Sequence, residues 1–184
     1  QENIEKHITM VAGILNLTTN EVCWSSAGHY PPPIIFEPNK PRQTYSKQQL
    51  HTDEFPYFEN GVGQVIIETN DKKIAPAICY ESLQPTHIEK AFKLGADVYL
   101  ASVAKPAKGV KNAFDHYPSM AKQYAMPILM ANFIGFCDNF LSVGNSAVWT
   151  KEGELVGQLD DKNEGVLIFD TETEEIVIRN LSNN

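Results

Sequence analysis

The chain has 184 residues, of which 15 are Lys or Arg and 23 are Asp or Glu, for a formal net charge of -8. A chain of this length folds as one domain around a sizeable core. It has no block of Lys or Arg to follow a phosphate backbone, and no apolar run reaches the roughly 18 residues of a membrane span, so neither nucleic acid nor membrane is an expected partner.

The opening run QENIEKH reads as the tail of a helix and not as the start of a protein, which predicts further sequence upstream. Residues 8–15, ITMVAGIL, form an apolar run of the kind buried on both faces of a sheet. Shorter β-like runs follow near 22–28 and 33–36, and Pro31, Pro32 and Pro33 place the second at an edge or in a loop. The segment 43–60 lacks periodicity and is expected to be a structured loop. Residues 64–69 and 73–79 flank Asn70-Asp71, the pattern of an antiparallel hairpin, with Pro76 calling for a bulge or an edge position.

Pro85 opens a helix whose face carries Ile88, Ala91 and Phe92 and which Gly95 stops. The run 97–103 is a strand, so strand, helix and strand make a right-handed βαβ unit. The unit repeats: Phe114, Tyr117, Ala121 and Tyr124 mark a second helix, which must begin near Pro118 if that proline is to sit in a first turn, and 127–133 is the next strand. From 145 onward the runs NSAVWT, ELVGQ, GVLIFD and EIVIR, separated by turns, are antiparallel. The whole predicts one α/β domain, residues 1–184, with a mixed sheet.

Three cysteines, Cys23, Cys79 and Cys137, show no C-x-x-C spacing. An odd, scattered set argues against a disulfide framework and structural zinc and for a reduced, cytoplasmic setting. Cys79 ends the run I-A-P-A-I-C-Y-E, where a parallel strand gives way to a helix. Ligands bind at that crevice in α/β sheets, and a helix N-terminus favours a thiolate there. A lone cysteine in an apolar strand is equally at home in a core, since free Cys is among the most buried residues. Lys47 stands upstream in Y-S-K-Q-Q-L, followed by Asp53-Glu54 in T-D-E-F-P-Y-F-E-N-G. A loop lysine is ordinarily solvated.

Taken in order, K-Q-Q-L-H-T-D-E-F-P-Y-F-E-N-G, then I-C-Y-E, then Gly95-Ala96-Asp97, M-A-N-F-I-G and S-V-G-N-S-A-V-W-T-K-E-G-E-L-V resemble the nitrilase superfamily of carbon-nitrogen hydrolases. The resemblance implies an αββα sandwich with mixed sheets, a homodimer, no cofactor or metal, and hydrolysis of a small amide, nitrile or carbamoyl compound. Carried onto matching positions, it implies Cys79 as nucleophile, Lys47 and the Tyr80 N–H as oxyanion donors, and Glu54 as the anchor of Lys47. It also implies Tyr80, Val103 and Ala104 as lining of the substrate pocket. S-L-Q-P-T-H departs from the family's usual run after the nucleophile, which leaves the substrate open.

The family's general-base glutamate closes its second strand and has no counterpart here, because Glu2 and Glu5 fall in the helix that follows it. The first strand, first helix and second strand are therefore expected to be missing, and the chain alone is expected to be inactive and less stable than the intact domain. A non-catalytic member that binds a ligand or a partner is the alternative. A third reading, a Cys-His hydrolase using His87 or His116, conflicts with the flanking Ala77 and Glu81, since such nucleophiles sit on glycine-flanked elbows.

Overall fold

The computed structural model describes residues 11–16, 21–26, 34–35, 43–68, 72–137 and 139–181. Strands β1 (Val11–Asn16) and β2 (Glu21–Ser26) form an antiparallel hairpin, and β3 (Ile34–Ile35) pairs briefly with β4 (Gln43–Thr44). The helix-like residues 1–7, the prolines at 31–33 and the turn at Asn70-Asp71 lie outside the described residues.

A six-stranded mixed sheet organises the rest. It comprises β5 (Ile67–Glu68), β6 (Lys73–Ile78), β7 (Val98–Val103), β8 (Ile128–Asn132), β11 (Ala147–Trp149) and β12 (Leu155–Gln158), side by side as β12-β11-β8-β7-β6-β5. Strands β6, β7 and β8 are parallel and every other pairing is antiparallel. Helix α1 (Pro85–Lys93) connects β6 to β7, and α2 (Ala107–Tyr124) connects β7 to β8. Two further hairpins, β9–β10 (Ile134–Cys137, Phe140–Val143) and β13–β14 (Gly165–Phe169, Ile176–Asn180), stand apart from this sheet. No helix among the described residues is long and apolar enough to cross a membrane.

The parallel strands are buried on both faces, which is why their sequences are nearly continuous apolar runs. On one face Ala75, Ala77, Tyr99, Ala101, Val103, Ile128, Met130 and Trp149 pack with Ile88 and Ala91 of α1 and with Ala113, Tyr117 and Ala121 of α2. On the other, Ile74, Val98 and Leu100 pack with Ile67 and Tyr45.

Local signals set the element ends. Pro85 occupies the first position of α1. Gly95, at φ 80°, closes it with paired bonds from Gly95 N–H to Phe92 O and from Ala96 N–H to Ala91 O, the glycine supplying a left-handed conformation that a side chain would resist. Pro76 sits inside β6 without a bulge. Its carbonyl accepts from Gln64 Nε2 at 3.1 Å on the flank where β5 has already ended, so its missing N–H forfeits no ladder bond there.

The expected start of the second helix near Pro118 is corrected. Helix α2 begins at Ala107 and runs through Pro118. An interior proline costs about 3 kcal/mol. Against that, Trp149 is buried with Phe114 and Tyr117 edge-on to it at 5.0 and 5.3 Å. Two such pairs contribute about 1–3 kcal/mol beyond the burial itself, which is comparable.

Candidate active site

Cys79 leaves the C-terminal end of β6 with φ 49°, a left-handed backbone that a side chain adopts at a cost of about 1–3 kcal/mol, and it opens a short 3-10 turn, Cys79–Leu83. The turn is braced from several directions. Ser82 Oγ donates to the Cys79 carbonyl at 2.5 Å and itself accepts from the buried Tyr117 hydroxyl at 2.7 Å. The half-buried thiol donates to the Ala104 carbonyl at 3.7 Å, just past the end of β7. Cys79 is thus aimed by a strained elbow of its own, formed without flanking glycine.

Lys47 is not a solvated loop lysine. Its Nζ donates to Glu54 Oε2 at 2.5 Å, with the two side chains 11% and 14% exposed. The same oxygen accepts the His51 N–H at 2.6 Å. The loop is closed by Gly61, whose N–H donates to Lys47 O at 2.7 Å. A Cβ at Gly61 would stand 2.3 Å from the Ser46 carbonyl oxygen, so this approach requires glycine.

Glu81 ties the two halves together, a role the sequence pattern does not single out. It is fully buried. Its Oε1 accepts from Tyr45 OH and Ile78 N–H, each at 2.7 Å, and its Oε2 accepts from the N–H groups of Gln48 at 2.6 Å and Gln49 at 3.3 Å. Burial pushes the Glu81 carboxyl above the usual range, while these donors pull the other way. The one sequence signal was an acid two residues past the cysteine, between an apolar strand and a proline-led helix.

His87 extends this network. Its Nε2 lies 2.8 Å from Tyr45 OH and its Nδ1 lies 2.7 Å from Tyr99 OH. Because Tyr45 gives its proton to Glu81, the imidazole must donate through Nε2 and accept at Nδ1 from Tyr99, which fixes the neutral tautomer. Burial lowers its pKa to about 4. With both nitrogens engaged, His87 is not available to take a proton from Cys79. His116, on α2, has a buried Nε2 with no hydrogen-bond partner.

The structure thus gathers Cys79, Ala104, Lys47 and Glu54 around one strand end, with Tyr80 beside them. The Tyr80 ring is exposed and stands edge-on to His51 at 5.2 Å. Val103 goes elsewhere: it is 2% exposed and packs in the core on the helical face. Lys105, the residue after Ala104, is 4% exposed and reaches back to the Cys79 carbonyl at 3.5 Å. Nothing in the sequence marks it out from an ordinary loop lysine. The grooves along α2, of about 340 and 420 Å³, contain none of Cys79, Lys47 or Glu54.

The carbon-nitrogen hydrolase family profile matches residues 5–177, and the chain belongs to that family. Its nitrilase-like α/β fold is shared with XC1258 from Xanthomonas campestris, a CN-hydrolase superfamily protein, at a TM-score of 0.66 and 17% identity, over 95% of this chain and 63% of that one. It is also shared with an amidase from Nesterenkonia sp. AN1, at a TM-score of 0.58 and 17% identity, over 87% of this chain and 54% of that one. A curated relative, the glutamine-dependent NAD(+) synthetase of Aquifex aeolicus (strain VF5), is 28% identical over 118 residues, which is 62% of this chain and 21% of the synthetase. The chain therefore spans about a fifth of that relative's length.

Proposed function

We propose that Cys79 is the nucleophile of a thiol amidohydrolase acting on a small amide, nitrile or carbamoyl compound, without a cofactor. For an amide, the Cys79 sulfur bonds to the carbonyl carbon, the C–N bond breaks and the amine leaves with a proton; water then attacks the thioester, releasing the acid and restoring the thiol. Lys47 and the Tyr80 N–H stabilise the oxyanion, each such donor being worth about 10²–10³ in rate. Glu54 holds the Lys47 ammonium in place. Both glutamates of the cluster are committed, Glu54 to Lys47 and Glu81 to four donors, so the base in this reading is a carboxylate from outside the described residues.

The observation that carries the reading is the strained Cys79 turn, tied through Glu81 to the loop that presents a nearly buried Lys47–Glu54 pair. The Nesterenkonia amidase supports it, since its active-site cysteine takes the acetamide moiety of fluoroacetamide covalently. A homodimer in a reduced, cytoplasmic compartment, with no nucleic-acid or membrane partner, belongs to the same proposal. The test is a panel of small amides, nitriles and carbamoyl amines with the full-length protein, read as ammonia or amine release beside Cys79→Ala. Turnover that vanishes in the variant is expected; turnover that survives Cys79→Ala removes the assignment.

A further inference from the structure

Lys105 follows β7 as Cys79 follows β6, at the same end of adjacent parallel strands. Its main chain is locked. The Lys105 N–H donates to Asn132 Oδ1 at 2.8 Å and to Ser142 Oγ at 3.0 Å, and its carbonyl accepts from Val143 N–H at 3.2 Å and Asn132 Nδ2 at 3.3 Å. The ends of β8 and β10 therefore fix the direction in which the side chain leaves. Helix α2 closes over its stem, for a Cβ at Gly109 would lie 3.1 Å from Lys105 Cβ.

The ammonium at the end of this held stem has one polar contact, the 3.5 Å bond to the Cys79 carbonyl. No carboxylate among the described residues pairs with it: Glu54 is held by Lys47 and Glu81 by its four donors. Burial lowers its pKa; Cys79 opposes that and the Lys47 charge adds to it, which also places Lys105 within electrostatic reach of both. A buried cation without a counter-charge is unfavourable. A chain that nevertheless fixes one in place, beside a strained cysteine, departs from stability where a ligand completes the balance.

We propose that Lys105 is the anion-recognising residue of the Cys79 site and selects amides that bear a carboxylate a few bonds from the scissile C–N bond. This deepens the proposed function and rests on Cys79 being its acyl-accepting nucleophile. The competing partner for Lys105 is an acid of the protein outside the described residues, and the experiment separates the two.

Full-length wild type, Lys105→Met and Lys105→Arg are assayed on succinamate and butyramide, amides of equal length that differ by the terminal carboxylate. The wild type is expected to favour succinamate in kcat/KM by about 100-fold, and Lys105→Met to bring that ratio towards 1 while Lys105→Arg keeps part of it. Equal use of both amides by the wild type, which needs no variant to observe, overturns the proposal. So does a ratio that persists in Lys105→Met, the result expected if an internal acid is the partner. A second measurement is independent of turnover: the rates at which iodoacetate and iodoacetamide alkylate Cys79. The iodoacetate-to-iodoacetamide ratio is expected to fall about tenfold in Lys105→Met, and an unchanged ratio overturns the anion site. Absence of amide hydrolysis in the wild type with a charge-selective Cys79 would instead remove the hydrolytic reading alone.

Discussion

His87 is buried neutral, with a pKa near 4 against an ordinary value of 6.5. A base whose folded pKa is depressed contributes stability that is fully present above 6.5 and is lost as pH falls towards 4. The total is about 3 kcal/mol, of which about 2–3 kcal/mol is gone by pH 4.5. Urea midpoints at pH 7.5 and 4.5 are therefore expected to differ more in the wild type than in His87→Gln. Glu81 has the opposite sense, because its raised pKa favours the fold at low pH and works against it as pH climbs; the His87 variant isolates the imidazole's part. Cys79 is a second residue whose cost is local. At φ 49° a Cβ is strained and a hydrogen is not. Cys79→Gly is expected to be more stable than Cys79→Ala by about 1 kcal/mol in chemical denaturation, and equal stability would show that the turn stores no strain.

At the scale of elements, the Lys47 loop depends on Gly61. Gly61→Ala places a methyl group against the Ser46 carbonyl, and neither main chain can yield without moving Lys47 away from Glu54. In the full-length protein the expected result is a kcat about 10²-fold lower with little change in KM, since an oxyanion donor acts in the transition state; loss in KM alone would argue that the loop only binds. This loop also shows what sequence could and could not reveal. Its structured character, the β5–β6 hairpin, and the βαβ units with Pro85 and Gly95 as punctuation were legible, because each rests on local chemistry or on burial of whole strands. The length of α2 was not, since the rings that hold it past Pro118 come from Trp149 in another strand. Nor was the β9–β10 hairpin, where Gly135 and the exposed Phe136 break the alternation that marks a strand.

For the molecule as a whole, the site is assembled from segments far apart in sequence. Cys79, Lys47 and Glu54 could be found because their order and spacing are linear features. Glu81 and Lys105 could not, because what distinguishes them is burial and partners supplied by distant segments: Tyr45 and Gln48 for one, Asn132 and Ser142 for the other. Glu81→Gln would turn an amide N–H₂ towards backbone donors, and a loss of about 2–3 kcal/mol is expected in urea unfolding, with faster amide exchange at Gln48 and Gln49. Unchanged exchange there would show that the loop holds its place unaided. Because one carboxylate serves main-chain groups on both sides, the segments Tyr45–Gln49 and Ile78–His87 form a single exchangeable cassette. A graft that moved the cysteine turn into another scaffold without the lysine loop would carry a buried acid with nothing to receive, and a redesign of either must be a redesign of both.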